Sequence, residues 1–107
     1  MKILGIKNCD KVRKSLKWFD EQNIEYEFHD FRKDGIDANL VKQLLNHFQL
    51  EKLFNKRSTT WRQLTSEEKE NLSPDLLSSN PTLIPRPVVL TGKLATLGFK
   101  PDMWKDA

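Results

Sequence analysis

The first third of the chain changes its hydrophobic period twice, and this pattern limits the folds that it can adopt. Residues 2–7 form a short apolar run that is typical of a buried strand. Apolar residues then recur at the spacing of an amphipathic helix, at Val12, Leu16 and Phe19. Residues 24–31 alternate apolar and polar side chains, which indicates a half-buried strand. A strand, a crossover helix and a second strand predict a parallel β-α-β unit.

Capping and turn residues set the expected bounds of these elements. Asn8 is suited to cap the helix, so we expect the helix to run from there to about Asn23. The sequence Lys33-Asp34-Gly35 after the second strand is typical of a turn.

The middle of the chain is predicted to be helical. Asp37 is placed as an N-cap for a helix. The apolar face that follows it contains Leu40, Val41, Leu44, Leu45 and Phe48. Residues 65–68 match the capping-box pattern and Ser73 precedes Pro74, so two short helices are expected within residues 66–80. The polar and basic residues 55–62 are interpreted as a surface loop.

The last part of the chain predicts a hairpin. Residues 84–91 and 94–99 are apolar runs separated by Gly92-Lys93, and the tail from residue 101 to 107 is expected to add a helical turn. The order β-α-β, then helices, then β-β predicts an α/β fold in which helices flank a mixed sheet, the general plan of thioredoxin-like domains. A chain of 107 residues has the length of one domain.

Composition excludes several classes of protein. A single cysteine, Cys9, cannot form an internal disulfide, and with the isolated His29 and His47 it does not predict a metal site. The four glycines form no nucleotide-binding motif. No apolar run approaches the roughly 20 residues that span a bilayer and no signal peptide is recognisable, so we expect a cytoplasmic protein without membrane contact. A net charge of +3, spread along the chain, does not predict nucleic acid binding.

Cys9 is the candidate nucleophile. It stands where a strand gives way to a helix, and the N–H groups and dipole of a helix start favour a thiolate. Lys7 and Lys11 flank Cys9, and their positive charges also support a thiolate. The alternative is that Cys9 is an inert, small apolar residue. Position 15 is Ser, so the C-x5-R pattern of tyrosine phosphatases is absent. Position 12 is Val, so there is no C-x-x-C pattern either. A disulfide cycle must therefore take its second sulfur from glutathione or a partner thiol.

Three arginines are candidates for binding an anion, because a guanidinium group can hold an oxyanion or a carboxylate with two hydrogen bonds. They are Arg57, Arg62 and Arg86. Pro85 and Pro87 flank Arg86 and restrict its backbone, which favours a fixed side-chain direction. Arg62 is interpreted as a solvated surface residue.

Four segments of the sequence together resemble the ArsC (arsenate reductase) family, and within it the YffB branch, with the Spx regulators as cousins. The segments are Asn8-Cys9-Asp10 and residues 26–35, 55–62 and 84–89. The match extends from residue 3 to about residue 101. It therefore covers essentially the whole domain.

The resemblance implies a thioredoxin-like fold with an inserted helical subdomain, at about residues 36–80 of a single domain that spans residues 1–107. It implies a nucleophilic cysteine at Cys9 and oxyanion-binding arginines at Arg57 and Arg86, with a cis Arg86–Pro87 bond. Lys100 stands near the position of the family's third arginine. Because a lysine is a point charge and controls the geometry of an oxyanion less than an arginine does, this change argues against arsenate as the substrate.

These inferences predict a glutathione-dependent monothiol reductase. Cys9 would attack an oxidised thiol or an oxyanion, while Arg57, Arg86 and Lys100 would hold the anion or a carboxylate of glutathione. The residues expected to support the site are Lys7, Asn8, Lys11 and Pro87. Glutathione is the expected co-substrate, no bound cofactor or metal is expected, and we expect a monomer.

Two other functions remain open. The first is a non-catalytic, Spx-like transcriptional regulator that binds the alpha subunit of RNA polymerase, although Spx carries a C-x-x-C switch that Val12 interrupts. The second is nucleic acid binding through the basic and aromatic side chains of Lys56, Arg57, Trp61 and Arg62.

Overall fold

A computed structural model describes residues 1–92 and 94–105. Residues 1–34 and the described residues from Arg86 onward form one compact unit, the sheet unit, and Gly35–Pro85 form a second, the helical unit. The elements follow in the order β1 (Lys2–Gly5), α1 (Asp10–Glu21), β2 (Glu27–Asp30), α2 (Ala38–Leu45), α3 (Thr59–Gln63), α4 (Ser66–Glu70), α5 (Pro74–Ser79), β3 (Val88–Leu90), β4 (Ala95–Leu97) and α6 (Pro101–Trp104). Short 3-10 turns occupy Leu50–Leu53 and Pro81–Leu83.

The sheet has the strand order β2-β1-β3-β4. β1 pairs in parallel with β2, which confirms the β-α-β unit, and β3 and β4 form the predicted antiparallel hairpin. β3 also runs antiparallel to β1, with Leu4 opposite both His29 of β2 and Val88 of β3. The carboxyl ends of β1, β2 and β4 and the start of β3 therefore meet at one end of the sheet, which we call the Cys9 end.

A glycine allows β1 and α1 to pack closely. A Cβ atom built on Gly5 would lie 2.7 Å from Cγ2 of Val12, which is closer than real Cβ atoms approach a neighbour. Val12 is fully buried on the sheet side of α1. The lack of a side chain at Gly5 therefore sets the distance between the strand and the helix that follows it.

The core of the sheet unit lies between α1, the sheet and α6. One cluster of fully buried residues in this core consists of Ile3, Phe19, Val89 and Trp104. The Trp104 ring stacks on Phe19 with centroids 4.9 Å apart, and its indole N–H donates to Oγ1 of Thr96 at 2.8 Å. The short C-terminal helix is thus anchored by one large aromatic residue whose polar atom is satisfied.

The prediction that Asn8 caps α1 is wrong. The N-cap is Cys9, whose backbone is extended (φ −89°, ψ 128°) and whose N–H donates to the carbonyl of Ile6 at 3.0 Å. This hydrogen bond closes a turn directly after β1 and ends the strand at Gly5. The N-cap of α1 is therefore Cys9, one residue beyond Asn8, and the helix begins at Asp10.

The strands are shorter than predicted for local reasons. After α1, Asn23 adopts a left-handed conformation (φ 56°) and the N–H of Ile24 still bonds to the carbonyl of Phe19, so β2 begins at Glu27. Pro85 and Pro87 have no N–H to give to a strand ladder, so β3 begins at residue 88. The predicted turn residue Lys93 and the last two residues of the predicted tail, Asp106 and Ala107, lie outside the described residues.

The helical unit confirms the predicted caps. Asp37 accepts a hydrogen bond from the N–H of Leu40 at the start of α2, and Thr65 with Glu68 forms a complete capping box at α4. Ser73 is the N-cap of α5, followed by Pro74 at its first position. Helices α2 and α5 pack against each other. The fully buried side chains of this unit include Val41, Leu44, Leu53, Leu77, Leu83 and Ile84.

The interpretation of residues 55–62 as a loop is wrong for its second half. Ser58 caps α3 by accepting a hydrogen bond from the N–H of Trp61 at 3.1 Å, so the chain is helical from residue 59. The polar and β-branched residues Thr59 and Thr60 concealed this helix, because their helix propensity is low. No helix within the described residues is long and apolar enough to cross a membrane.

Candidate functional site

Cys9 lies between β1 and the 12-residue helix α1. Its side chain is half-buried, and within the described residues its thiol makes no capping hydrogen bond. The first bond of the helix ladder runs from the N–H of Arg13 to the carbonyl of Cys9 at 3.0 Å. Cys9 is therefore held at the start of a helix and is partly exposed.

The start of α1 carries a partial positive charge next to Cys9. The N–H groups of the first helical turn, from Asp10 to Val12, precede the helix ladder and leave partial positive charge at this end. The Asp10 carboxylate in the same turn forms an ion pair with the guanidinium of Arg13. This pairing offsets the one acidic side chain of the first turn.

The predicted supporting residues surround this turn on the surface. Lys7 and Asn8 lie in the connection between β1 and α1, and Lys11 lies in the first turn of the helix; all three are exposed. Neither lysine forms an ion pair with any residue in the described part of the chain. Both charges are therefore available to an anion.

The sheet register brings Arg86 and Pro87 to the Cys9 end. Arg86 is half-buried and Pro87 is buried, directly before β3, and the peptide bond between them is cis, as the resemblance implies. After β4, the N–H of Gly98 donates to the carbonyl of Pro87 at 2.8 Å. Gly98 has a positive φ of 88°, and the chain then leads to the exposed Lys100.

Arg57 belongs to the helical unit, so the sheet unit alone brings together only part of the predicted site. The side chain of Arg57 is exposed, and its backbone N–H donates to Oδ1 of Asn55 at 3.0 Å. Arg62 is exposed in α3, in agreement with its interpretation as a surface residue.

Two residues with ordered polar contacts were not predicted. Ser15 is fully buried in α1, and its hydroxyl donates to the carbonyl of Lys11 at 2.6 Å. Asn55 organises the turn that carries Arg57; an asparagine two residues before an arginine, in a segment rich in polar residues, is a turn signal that could have identified it.

In the described residues, no group of three or more His, Cys, Asp or Glu side chains could hold a metal ion.

The chain is similar to other proteins over its whole length. It is 44% identical to an uncharacterized protein of Haemophilus influenzae over 98% of this chain and 96% of that one. It is 24% identical to the global transcriptional regulator Spx of Lactiplantibacillus plantarum, over 89% of this chain and 76% of that protein.

Solved structures show the same fold. A YffB protein superimposes with a TM-score of 0.90 at 33% identity, covering 99% of this chain and 96% of that one. An arsenate reductase-related protein from Brucella melitensis superimposes with a TM-score of 0.77, also at 33% identity, covering 98% and 91%. The thioredoxin-like plan with helices around a mixed sheet is thereby confirmed. The pattern of the ArsC family matches residues 4–107, and the chain belongs to this family.

Proposed function

We propose that this protein is a glutathione-dependent thiol reductase in which Cys9 is the single nucleophile. The observation that supports the proposal is the position of Cys9 as the N-cap of α1, with a half-buried thiol and no capping bond within the described residues. A helix start favours the thiolate over the thiol, and the thiolate is the form that attacks a disulfide.

The reaction takes place in two thiol–disulfide exchanges. The Cys9 thiolate attacks the glutathione sulfur of a mixed disulfide, so the Cys9–glutathione bond forms, the substrate–glutathione bond breaks, and the substrate leaves as a thiolate that takes up a proton. The thiolate of a second glutathione then attacks the glutathione sulfur of this adduct. Oxidised glutathione leaves and the Cys9 thiolate is restored, so each turnover consumes one glutathione thiol and the disulfide bond passes from the substrate to glutathione.

We assign anion binding to three cationic residues. Arg86 lies at the Cys9 end of the sheet unit, where it would hold a carboxylate of glutathione, and we assign the same role to Lys100 and to Arg57. Lys7, Asn8 and Lys11 would support the thiolate, and Pro87 would shape the backbone beside it. We place the reaction in the cytoplasm, where glutathione keeps thiols reduced, and propose that the protein acts as a monomer.

A glutathione adduct on Cys9 tests the proposal. The protein is incubated with oxidised glutathione and its mass is measured, with Cys9→Ser as the control. We expect an increase of one glutathione on the parent protein and none on the variant, followed by loss of the adduct and release of oxidised glutathione when reduced glutathione is added. A parent protein that gains no adduct would overturn the proposal.

The similarity to Spx supports a second candidate, a transcriptional regulator that binds the alpha subunit of RNA polymerase. A pull-down with the C-terminal domain of that subunit distinguishes the two functions. Binding that persists in Cys9→Ser, together with the absence of a glutathione adduct on the parent, would favour the regulator.

A further inference from the structure

We propose that Asn55 is a positioning residue that fixes the backbone of Arg57 and thereby restricts the directions that its guanidinium group can take when it binds an anion. This inference rests on the proposed function, because that function gives Arg57 its anion-binding role. It adds a residue that makes no contact with the substrate itself and acts only through Arg57.

The hydrogen bonds of Asn55 surround the position of Arg57. Its side-chain Oδ1 accepts from the N–H of Arg57 at 3.0 Å, and its backbone carbonyl accepts from both the N–H and the hydroxyl of Ser58, at 3.0 and 2.7 Å. Its own N–H donates to the carbonyl of Leu83 at 2.7 Å. Asn55 thus bonds to the two residues that follow Lys56 and to the 3-10 turn Pro81–Leu83.

The chain beyond Arg57 is held to the same turn. The hydroxyls of Thr60 and Thr82 are hydrogen-bonded at 2.5 Å, and the hydroxyl of Ser58 accepts from Trp61 at the start of α3. The backbone on both sides of Arg57 is therefore attached to the turn Pro81–Leu83. Because this backbone is already fixed, the segment loses less conformational entropy when Arg57 binds a ligand.

The side chain of Arg57 remains available although its backbone is fixed. It is exposed and forms no ion pair with any residue in the described ranges 1–92 and 94–105. Its neighbour Lys56, in contrast, reaches Glu51 at 3.4 Å and lies over the ring of Trp61 at 5.8 Å. Of these two adjacent cations, Arg57 is the one whose charge is free for an anion.

The bond from Arg57 N–H requires a short side chain with an acceptor at position 55. An asparagine carbonyl reaches the N–H two residues on, a serine hydroxyl can make the same bond more weakly, and an alanine cannot make it. Asn55→Ala, Asn55→Ser and the parent therefore form a graded series. Asn39→Ala, an exposed asparagine of α2 in the same unit, is the matched control.

The first measurement is kinetic, on the full-length protein with a glutathione mixed disulfide as substrate. Asn55→Ala removes one side-chain hydrogen-bond acceptor, so we expect its KM to rise about three- to tenfold while kcat stays unchanged. We expect the KM of Asn55→Ser to recover in part. Asn39→Ala is expected to behave as the parent. In an Arg57→Ala background, Asn55→Ala is expected to raise KM no further, because both changes remove the same contribution.

The second measurement is the hydrogen exchange rate of the Arg57 amide. We expect faster exchange in Asn55→Ala and near-parent exchange in Asn55→Ser. An unchanged exchange rate in Asn55→Ala, or KM effects that add in the double variant, would overturn the inference.

The failure of this inference and that of the proposed function are distinguishable. A Cys9 adduct that forms normally, together with a KM that Arg57→Ala raises and Asn55→Ala leaves unchanged, would refute the role of Asn55 alone. The absence of a Cys9 adduct in the parent would refute the reductase and this role with it.

Discussion

At the scale of the residue, Cys9 occupies a position for which cysteine is a poor choice on structural grounds. It is the N-cap of α1, where Ser, Thr, Asp and Asn accept a hydrogen bond from the first turn, and its thiol makes no such bond in the described chain. A residue that leaves a helix start uncapped is expected where reactivity is needed at the cost of stability.

This reasoning gives opposite predictions for stability and reactivity in Cys9→Ser. The serine hydroxyl can cap α1, so we expect the free energy of unfolding to rise by up to about 1 kcal/mol. Urea denaturation measures this change, and mass spectrometry measures the simultaneous loss of the glutathione adduct. A variant less stable than the parent by more than about 1 kcal/mol would show instead that the thiol contributes packing.

Tyr26 provides a second prediction at this scale, because its pKa is raised. Burial is the main cause, and the Asp20 carboxylate adds to it by accepting the phenol hydrogen bond at 3.1 Å and by its charge. The chain has a single tyrosine, so the absorbance of tyrosinate reports on this residue alone. We expect its midpoint above that of the unfolded protein, and a smaller rise in Asp20→Asn, which removes the charge and leaves the burial.

The same shift makes stability depend on pH in a defined direction. Below about pH 10 both the folded and the unfolded protein keep the phenol proton, and the contribution of Tyr26 is fully present. Above it the unfolded protein loses the proton first, so this contribution is lost as pH rises through the pKa of folded Tyr26. We expect the parent to lose stability more steeply than Tyr26→Phe between about pH 9 and about pH 11, since the titration of lysines is common to both.

At the scale of the element, the packing of β1 against α1 depends on Gly5. A methyl group there would lie 2.7 Å from Cγ2 of Val12, and a buried overpacked contact costs about 1–3 kcal/mol. We therefore expect Gly5→Ala to lower the free energy of unfolding by that amount. Denaturant titration of the variant measures this loss.

Two further variants separate crowding from the general effect of replacing a glycine. Gly92→Ala adds a methyl group with no neighbour within 4 Å, and we expect a change within about 0.5 kcal/mol. Val12→Ala removes the crowded atoms, so the double variant Gly5→Ala/Val12→Ala should be more stable than the sum of the single changes predicts. Strict additivity would mean that the two residues are not in conflict.

Elements with local signals could be predicted from the sequence, and elements without them could not. Two helices could be predicted from their capping residues, Asp37 for α2 and Thr65 with Glu68 for α4, because capping is a contact between near neighbours. The helix after Ser58 and the exact start of α1 depended on turns that no residue pattern specified. The cap at Cys9 in particular results from the bond between its N–H and Ile6, which only coordinates show.

At the scale of the whole molecule, the sheet unit gathers residues that are far apart in sequence. Periodicity predicted the pairing of β1 with β2 and of β3 with β4, but the placement of β3 beside β1 is a long-range contact without a local signal. This pairing brings Arg86 to the Cys9 end. The residues of the candidate site could therefore be named from the sequence through the family resemblance, whereas the placement of Arg86 at the Cys9 end could not be derived from periodicity.

The charges at this end predict a dependence on salt and on the charge of the substrate. Lys7, Lys11 and Arg86 form no ion pairs with described residues, so their field extends into the solvent. We expect the rate of Cys9 with oxidised glutathione to fall about three- to tenfold when the ionic strength rises from about 0.01 M to about 0.5 M, because salt screens steering of an anion. The rate with cystamine, a cationic disulfide, should stay level or rise.

Replacing single lysines separates local from overall charge in this effect. Lys11→Gln and Lys17→Gln change the net charge equally, but Lys11 lies in the first turn of α1, whereas Lys17 lies two turns along the helix and pairs with Glu21 at 4.0 Å. We expect Lys11→Gln alone to weaken the salt dependence with oxidised glutathione, as measured by stopped-flow exchange rates. Equal effects of the two variants, or the same salt dependence for the anionic and the cationic disulfide, would mean that the cations at the Cys9 end do not select the substrate. The positive charge would then act only as a property of the whole surface.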